Sequence, residues 1–255
     1  MTRGRLRAAT IGVATVVALL AVWEVAVRVS GLPEFVLPAP SQVAVTAIDT
    51  APLLGEHIVT TATEAVLGLA LGVFIGWAMA VLIATLPTTG HVAQPMVLLS
   101  QTIPTVVLAP LMILWTGYGL ASKVILVALT VFFPVLISAA AAIREVDADH
   151  ADMVAGLGGT RRHQLWLVRL PASIPGALSG LRIAATYAVG AAVVSEYLAG
   201  ESGLGVFIQR SRKAYAVDQI FVGIVLIAAL AGLFVLAIVA LRRAVTPWQT
   251  APARV

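Results

Sequence analysis

Six stretches of this 255-residue chain are apolar over the length that a lipid bilayer demands. A helix needs roughly 20 apolar residues to cross the hydrocarbon core. Runs at about 8–28, 57–86, 92–115, 120–142, 172–198 and 219–241 qualify. Only 11% of the residues are charged, less than half of the roughly 25% that covers a water-facing surface. Soluble, disordered and fibrous folds are excluded. The chain reads as an all-α membrane protein, one transmembrane domain over residues 1–255 with six transmembrane helices. The spans leave no room for a separate soluble domain.

The residue inventory also removes most chemistry. There are no cysteines, so disulfides, thiol catalysis and Cys-ligated metals are out. His57, His91, His150 and His163 lie on separate segments, and no pair has the i, i+4 spacing of a helical metal site. No Gly-x-Ser-x-Gly elbow is present. No phosphate loop of the form Gly-x4-Gly-Lys-Ser/Thr occurs, and lysine stands only at 123 and 213. The chain has no enzyme active site and needs no cofactor of its own. Its net charge of +4 comes from basic residues scattered at the ends of apolar runs, which makes no nucleic-acid surface.

The first run follows Arg3, Arg5 and Arg7 as a signal peptide would, but its apolar stretch from Ala8 to Val27 is too long for one. It is expected to remain as a helix. Placing both termini inside puts ten of the sixteen basic residues on the cytoplasmic side, counting Arg144, Arg161, Arg162 and Arg169 after span 4 and Arg242, Arg243 and Arg254 at the end. The outside then receives Arg28, Lys123, Arg210, Arg212 and Lys213, and Arg182 falls within span 5. The expected setting is the cell (inner) membrane, multi-pass, with both termini cytoplasmic.

Three prolines in 32–41 force an extended external segment. Ser41 is placed to cap an amphipathic surface helix over roughly 42–54. In span 2, Gly68, Gly72 and Gly76 share one face, which suits close helix packing inside the bundle or against a second subunit. Gln101, Pro104 and Pro110 in span 3 fit either a bent structural helix or a broken one lining a pathway.

Glu24, Glu64, Arg182 and Glu196 fall within spans, at a cost of about 2.5–3.5 kcal/mol each near a helix centre. Glu24 is expected to reach the interface in a structural role, and Arg182 to contact helix ends or a partner subunit. Glu64 and Glu196 are either buried structural acids, bonded to hydroxyls such as Thr60, Thr61, Thr63, Thr186 or Tyr187, or residues of a substrate cavity. An ion-gradient-driven transporter or channel working through Glu64 and Glu196 is the rival reading, and a plain scaffold a third.

The segment 144–171 holds eight of the 28 charged residues. Asp147 can cap a short helix, with Asp149 and Asp152 at its positive end and Met153, Ala155 and Leu157 on an apolar side. Gly158 and Gly159 would end it. Thr160 would start a second helix running to Pro171 and presenting Leu165, Trp166 and Val168. Apolar residues held out in water this way mark a docking surface for a cytoplasmic partner.

The spacing here resembles the cytoplasmic signature of ABC importer permeases: Glu-Ala-Ala, three residues, Gly, nine residues, Ile-x-Leu-Pro. In this chain it reads Asp152-Met153-Val154, three residues, Gly158, nine residues, Val168-Arg169-Leu170-Pro171. Leu37-Pro38-Ala39-Pro40-Ser41, Gln101-Thr102-Ile103-Pro104, Gly117-Tyr118-Gly119, Ala184-Ala185-Thr186-Tyr187-Ala188-Val189, Ser195-Glu196-Tyr197-Leu198 and Gly203-Leu204-Gly205 are similar to the permeases for taurine, sulfonates, nitrate and thiamine-precursor pyrimidines. The last of these stretches, with Glu64, look most like the subset for hydroxymethylpyrimidine-type precursors.

The resemblance implies a type I importer fold with a cytoplasmic coupling helix. Two copies of the chain would form the pathway. Two ABC ATPases, which bind ATP and Mg, would dock through Asp147, Asp152, Met153, Ala155, Gly158, Arg161, Leu165 and Pro171. An extracytoplasmic solute-binding protein would deliver substrate. Candidate pathway residues are Glu64, Gln101, Pro104, Tyr187 and Glu196. Two acids per subunit would disfavour a free anion and suit a neutral or cationic heteroaromatic, pyrimidine or riboflavin-like.

Overall fold

The computed structural model describes residues 3–85 and 104–247. Its helices are α1 (Arg3–Ser30), α2 (Pro40–Thr85), α3 (Thr105–Thr116), α4 (Leu120–Arg144), α5 (Ala148–Gly156), α6 (Arg161–Gln164), a π turn at Leu165–Arg169, α7 (Leu170–Ala199), α8 (Leu204–Lys213) and α9 (Val217–Val245). No strand occurs among the described residues. Among them, five helices are long and apolar enough to cross a membrane: Thr10–Ser30, Pro40–Thr85, Leu120–Arg144, Arg161–Ala199 and Val217–Val245. The third predicted span is represented by α3, whose 12 residues make about 18 Å. Residues 92–103 of that span, Gln101 included, lie outside the described residues.

The centre of the bundle is α2, α4 and α7. Ala65 and Leu69, Val127, Val131 and Val135, and Ala184, Ala185, Ala188, Val189 and Ala192 pack together as one buried cluster. Small residues set its tightness. A Cβ on Gly72 would lie 2.6 Å from the Ala128 carbonyl oxygen, and one on Gly76 2.9 Å from that of Phe132. The glycine stripe of α2 therefore faces α4 of the same chain.

A second buried cluster sits at the far end of the same helices, with Ala80 from α2, Leu136, Ala139 and Ile143 from α4, and Leu165 and Leu170 from the π turn and α7. A third joins Val43 and Leu54 of α2 to Phe207 of α8 and Val222 of α9. Helix α1 runs along the periphery. It touches α9 through Trp23 and Phe221, whose ring centroids are 5.5 Å apart.

Two expectations are corrected here. The surface helix expected over 42–54 is the first part of α2, which runs 46 residues without a break and contains Pro52. Val43 and Leu54 are buried on α8 and α9, so packing holds this part against the bundle. Ser41 does not cap it. Pro40 occupies the first helical position, where its missing N–H costs nothing. The Ser41 N–H and hydroxyl both donate to Glu24 of α1, at 3.0 and 2.8 Å, and Arg28 pairs with the same carboxylate at 2.6 Å. Glu24 thus supplies the acceptor and the negative charge that a helix N-terminus favours.

The second correction concerns Pro171. The helix expected to stop there runs from Arg161 through to Ala199. Leu170 N–H bonds the Leu165 carbonyl, five residues back, and this widened turn precedes the proline. A proline in a regular turn would lose a hydrogen bond and clash with the carbonyl four residues earlier. The π turn makes room for it.

Candidate functional site

At one end of the bundle the chain builds a pair of short helices about a glycine bend. The Asp147 carboxylate accepts the Asp149 N–H at 3.1 Å and caps α5. At the other end of α5, Gly158 has φ +82°, a conformation that side chains disfavour. Its N–H bonds the Ala155 carbonyl, and the Gly159 N–H bonds that of Val154, both at 2.9 Å. This is the Schellman pattern of a helix end. Gly159 has a separate reason to be glycine, since a Cβ there would lie 2.6 Å from the Val154 carbonyl oxygen. Thr160 then caps α6 in a reciprocal box with His163.

Asp152, Ala155, Gly158, Arg161 and Pro171 are all exposed. Met153 is 63% and Leu157 82% exposed. Leu165 departs from the expectation: it is buried between α2 and α4 with Ala80 and Ile143. It anchors the bend to the bundle and is not presented. Trp166 and Leu167 are the exposed apolar residues of that turn. Leu167 was legible only as one more residue of an apolar run.

About 24 Å along α2 from Ala80, at 1.5 Å per residue, lies a cluster of buried charge. His57, Thr61 and Glu64 stand on one face of α2, with Lys123 from α4 and Glu196 from α7. Lys123 Nζ donates to Glu64 Oε1 at 2.7 Å, and both residues are buried. Glu196 accepts the Thr61 hydroxyl and the Gly205 N–H, each at 2.6 Å. The Leu204 N–H donates to Thr61 Oγ1 and the Gly203 N–H to His57 Nδ1, both at 2.9 Å. Three successive N–H groups at the start of α8 are thereby satisfied by side chains of α2 and α7. Gly203 has φ +115°, and a Cβ there would fall on the Glu196 carboxylate.

Of the candidate pathway residues, Glu64 and Glu196 both belong to this cluster, Glu64 paired with Lys123 and Glu196 bonded to Thr61 and Gly205. Glu64 and Lys123 also lie at the side of a hollow of about 250 Å³ shared with Thr60, Tyr118 and Ser202. Tyr187 is 55% exposed on α7, and Pro104 is exposed just before α3; neither hydrogen-bonds to the cluster. Among the hydroxyls considered for the acids, Thr61 is the one that bonds Glu196. Thr63 and Thr186 donate to their own helix backbone.

Lys123 and His57 were missed. Lys123, counted with the external charges, is buried against Glu64. The available signal was a single lysine three residues into an apolar run, in a chain with one lone glutamate in span 2. Among the described residues, no group of three His, Cys, Asp or Glu is placed to hold a metal.

Comparison with known proteins agrees with this architecture. The sequence profile of the binding-protein-dependent transport system inner membrane component matches residues 68–250. The formylaminopyrimidine transport permease protein ThiX of Halalkalibacterium halodurans is 31% identical over 91% of this chain and 92% of its own length. The taurine transport system permease protein TauC of Escherichia coli is 31% identical over 95% and 91%. The riboflavin transport system permease protein RibX of Chloroflexus aurantiacus is 34% identical over 84% and 81%. In structure, the chain is similar to an inward-facing conformation of the MetNI methionine ABC transporter, with a TM-score of 0.68, 21% identity and coverage of 78% of this chain and 98% of that one.

Proposed function

This chain belongs to the binding-protein-dependent transport system inner membrane components and is the permease subunit of an ABC importer for a small nutrient; on that premise we propose how it is assembled and driven. Two copies form the pathway, with their termini on the cytoplasmic side. Two ABC ATPases, which hold ATP and Mg, dock on α5 and the bend that follows. An extracytoplasmic binding protein delivers the substrate at the end marked by α8. Family membership sets aside the ion-gradient transporter and the scaffold.

One observation supports the docking site above all. Met153 and Leu157 project from a helix whose ends are fixed by Asp147, Gly158 and Gly159. A short exposed helix with apolar residues and so fixed a geometry suits a partner surface. Mechanics favour the same place. From the Thr160 cap, one helix runs without a break from Arg161 to Ala199, about 58 Å at 1.5 Å per residue. Leu165 wedges its near end between α2 and α4, and Glu196 near its far end holds the start of α8. Movement of the docked ATPases would be carried by this rod to the outer end, and the bundle would alternate between inward and outward access.

For the substrate we propose a hydroxymethylpyrimidine-type precursor, supported by the similarity to a formylaminopyrimidine permease. The expectation that two bare acids repel anions carries no weight here. Glu64 is paired with Lys123, and Glu196 is tied to α8. Uptake into proteoliposomes containing the whole importer, with its binding protein, tests the choice. Transport of the pyrimidine and exclusion of taurine is expected; transport of taurine alone would overturn it.

A further inference from the structure

Arg182 is the arginine that falls within span 5, expected to contact helix ends or a partner subunit. It lies on α7 beside the last turns of α9, in a groove of about 420 Å³ lined by Leu178, Ile238, Val239, Arg242, Arg243 and Thr246. Three arginines from two neighbouring helices thus line one hollow together with aliphatic side chains. No acidic residue lines the groove among the described residues, and neither Arg182 nor Arg243 forms an ion pair among them.

The position along the helices matters. Arg182 is 12 residues beyond Leu170, about 18 Å, so α7 has already run well past the buried Leu165 and Leu170 before it meets α9. Arg242 and Arg243 stand in the last turn of α9, after the apolar stretch that ends near residue 241. The groove therefore sits where the apolar surface of α9 gives way to water, on the side of the bundle that carries α5. At such a level a lipid phosphate and a guanidinium are at the same depth. Leu178, Ile238 and Val239 offer an apolar wall to the first methylenes of an acyl chain. Arginine is the residue suited to this, because its planar fork binds phosphate oxygens in pairs.

We propose that Arg182 and Arg243, in the groove that Arg242 also lines, form a binding site for the phosphate headgroup of an anionic phospholipid in the leaflet facing the coupling segment. Basic pockets between transmembrane helices bind anionic headgroups in this way. The bound lipid would clamp the middle of the α7 rod to the end of α9, two elements that otherwise meet through apolar side chains such as Leu226, Phe234 and Ile238. The site concerns the membrane reading and not the identity of the transported nutrient, so it stands or falls apart from the substrate proposal.

The test titrates the purified importer complex in neutral detergent with short-chain phosphatidylglycerol and reads lipid occupancy by native mass spectrometry. Short-chain phosphatidylcholine and inorganic phosphate are the comparison probes. Phosphatidylglycerol is expected to bind in preference to phosphatidylcholine. The double variant Arg182→Gln/Arg243→Gln should weaken that binding roughly 25-fold, at about fivefold per arginine near a charged surface. The double variant Arg182→Lys/Arg243→Lys keeps the charge and loses only the fork, and it should retain part of the affinity. It also serves as the control should the Gln variant fail to fold. Equal binding of both lipids, unchanged phosphatidylglycerol affinity in the Gln variant, or no loss at all in the Lys variant together with full displacement by inorganic phosphate would each overturn the proposal.

Discussion

Lys123 of α4 reaches 2.7 Å to Glu64 of α2 inside the bundle, an ion pair in which both partners are buried. Neither charge could stay buried alone, so the pair fastens two of the three central helices at one point. Removing one partner leaves the other uncompensated, at a cost of about 3–5 kcal/mol. Lys123→Met is expected to lower the thermal unfolding temperature of the detergent-solubilised protein by that equivalent, and Lys123→Met/Glu64→Leu to recover most of it. A single variant as stable as the wild type would contradict the pairing.

Glu196 and the glycines of the 203–205 turn hold α8 to the bundle. Glu196→Ala strips acceptors from the Gly205 N–H and the Thr61 hydroxyl, at about 1–3 kcal/mol for each orphaned group. Glu196→Gln keeps one oxygen for Gly205 and should lie between Ala and wild type. Limited proteolysis around residues 200–216 is expected to quicken in the same order: wild type, Gln, Ala. Equal cleavage of all three would show that α8 is held by its apolar contacts with α9 alone.

The α2–α4 contact predicts a sharp difference between two glycines. Gly72→Ala would press a methyl group toward the Ala128 carbonyl oxygen, and such overpacking costs about 1–3 kcal/mol. Gly190 on α7 has open space where a Cβ would go. There alanine should be neutral or stabilise by up to about 1 kcal/mol through helix propensity. Comparing the two melting temperatures checks the assignment of the stripe to packing within the chain.

The sequence carried the bend at Gly158 clearly, because an N-cap aspartate, a glycine pair and a second N-cap threonine are all local signals. Long apolar runs likewise disclosed the helices. What failed was the meaning of breakers. Pro171 looked like an end, since a one-dimensional reading cannot see a π turn placed ahead of it. Pro52 and Ser41 suggested a separate surface helix, yet burial of Val43 and Leu54 on α8 and α9 carries α2 straight through. The burial of Lys123 is hidden for a related reason: at the edge of an apolar run, a lysine bound for water and one bound for a buried glutamate look the same. The glutamate that decides the last case is 59 residues away in sequence.

ATP hydrolysis by the reconstituted importer measures most directly the coupling of the ATPase through α5 and the bend at Gly158. Asp152→Lys reverses a charge on the exposed face of α5, and Gly158→Trp places a large side chain at φ +82° in the middle of the proposed contact. The predicted result is loss of both binding-protein-stimulated ATP hydrolysis and uptake in each variant, while the permease still elutes and melts as a folded bundle. Wild-type stimulation of ATP hydrolysis in both variants would contradict it.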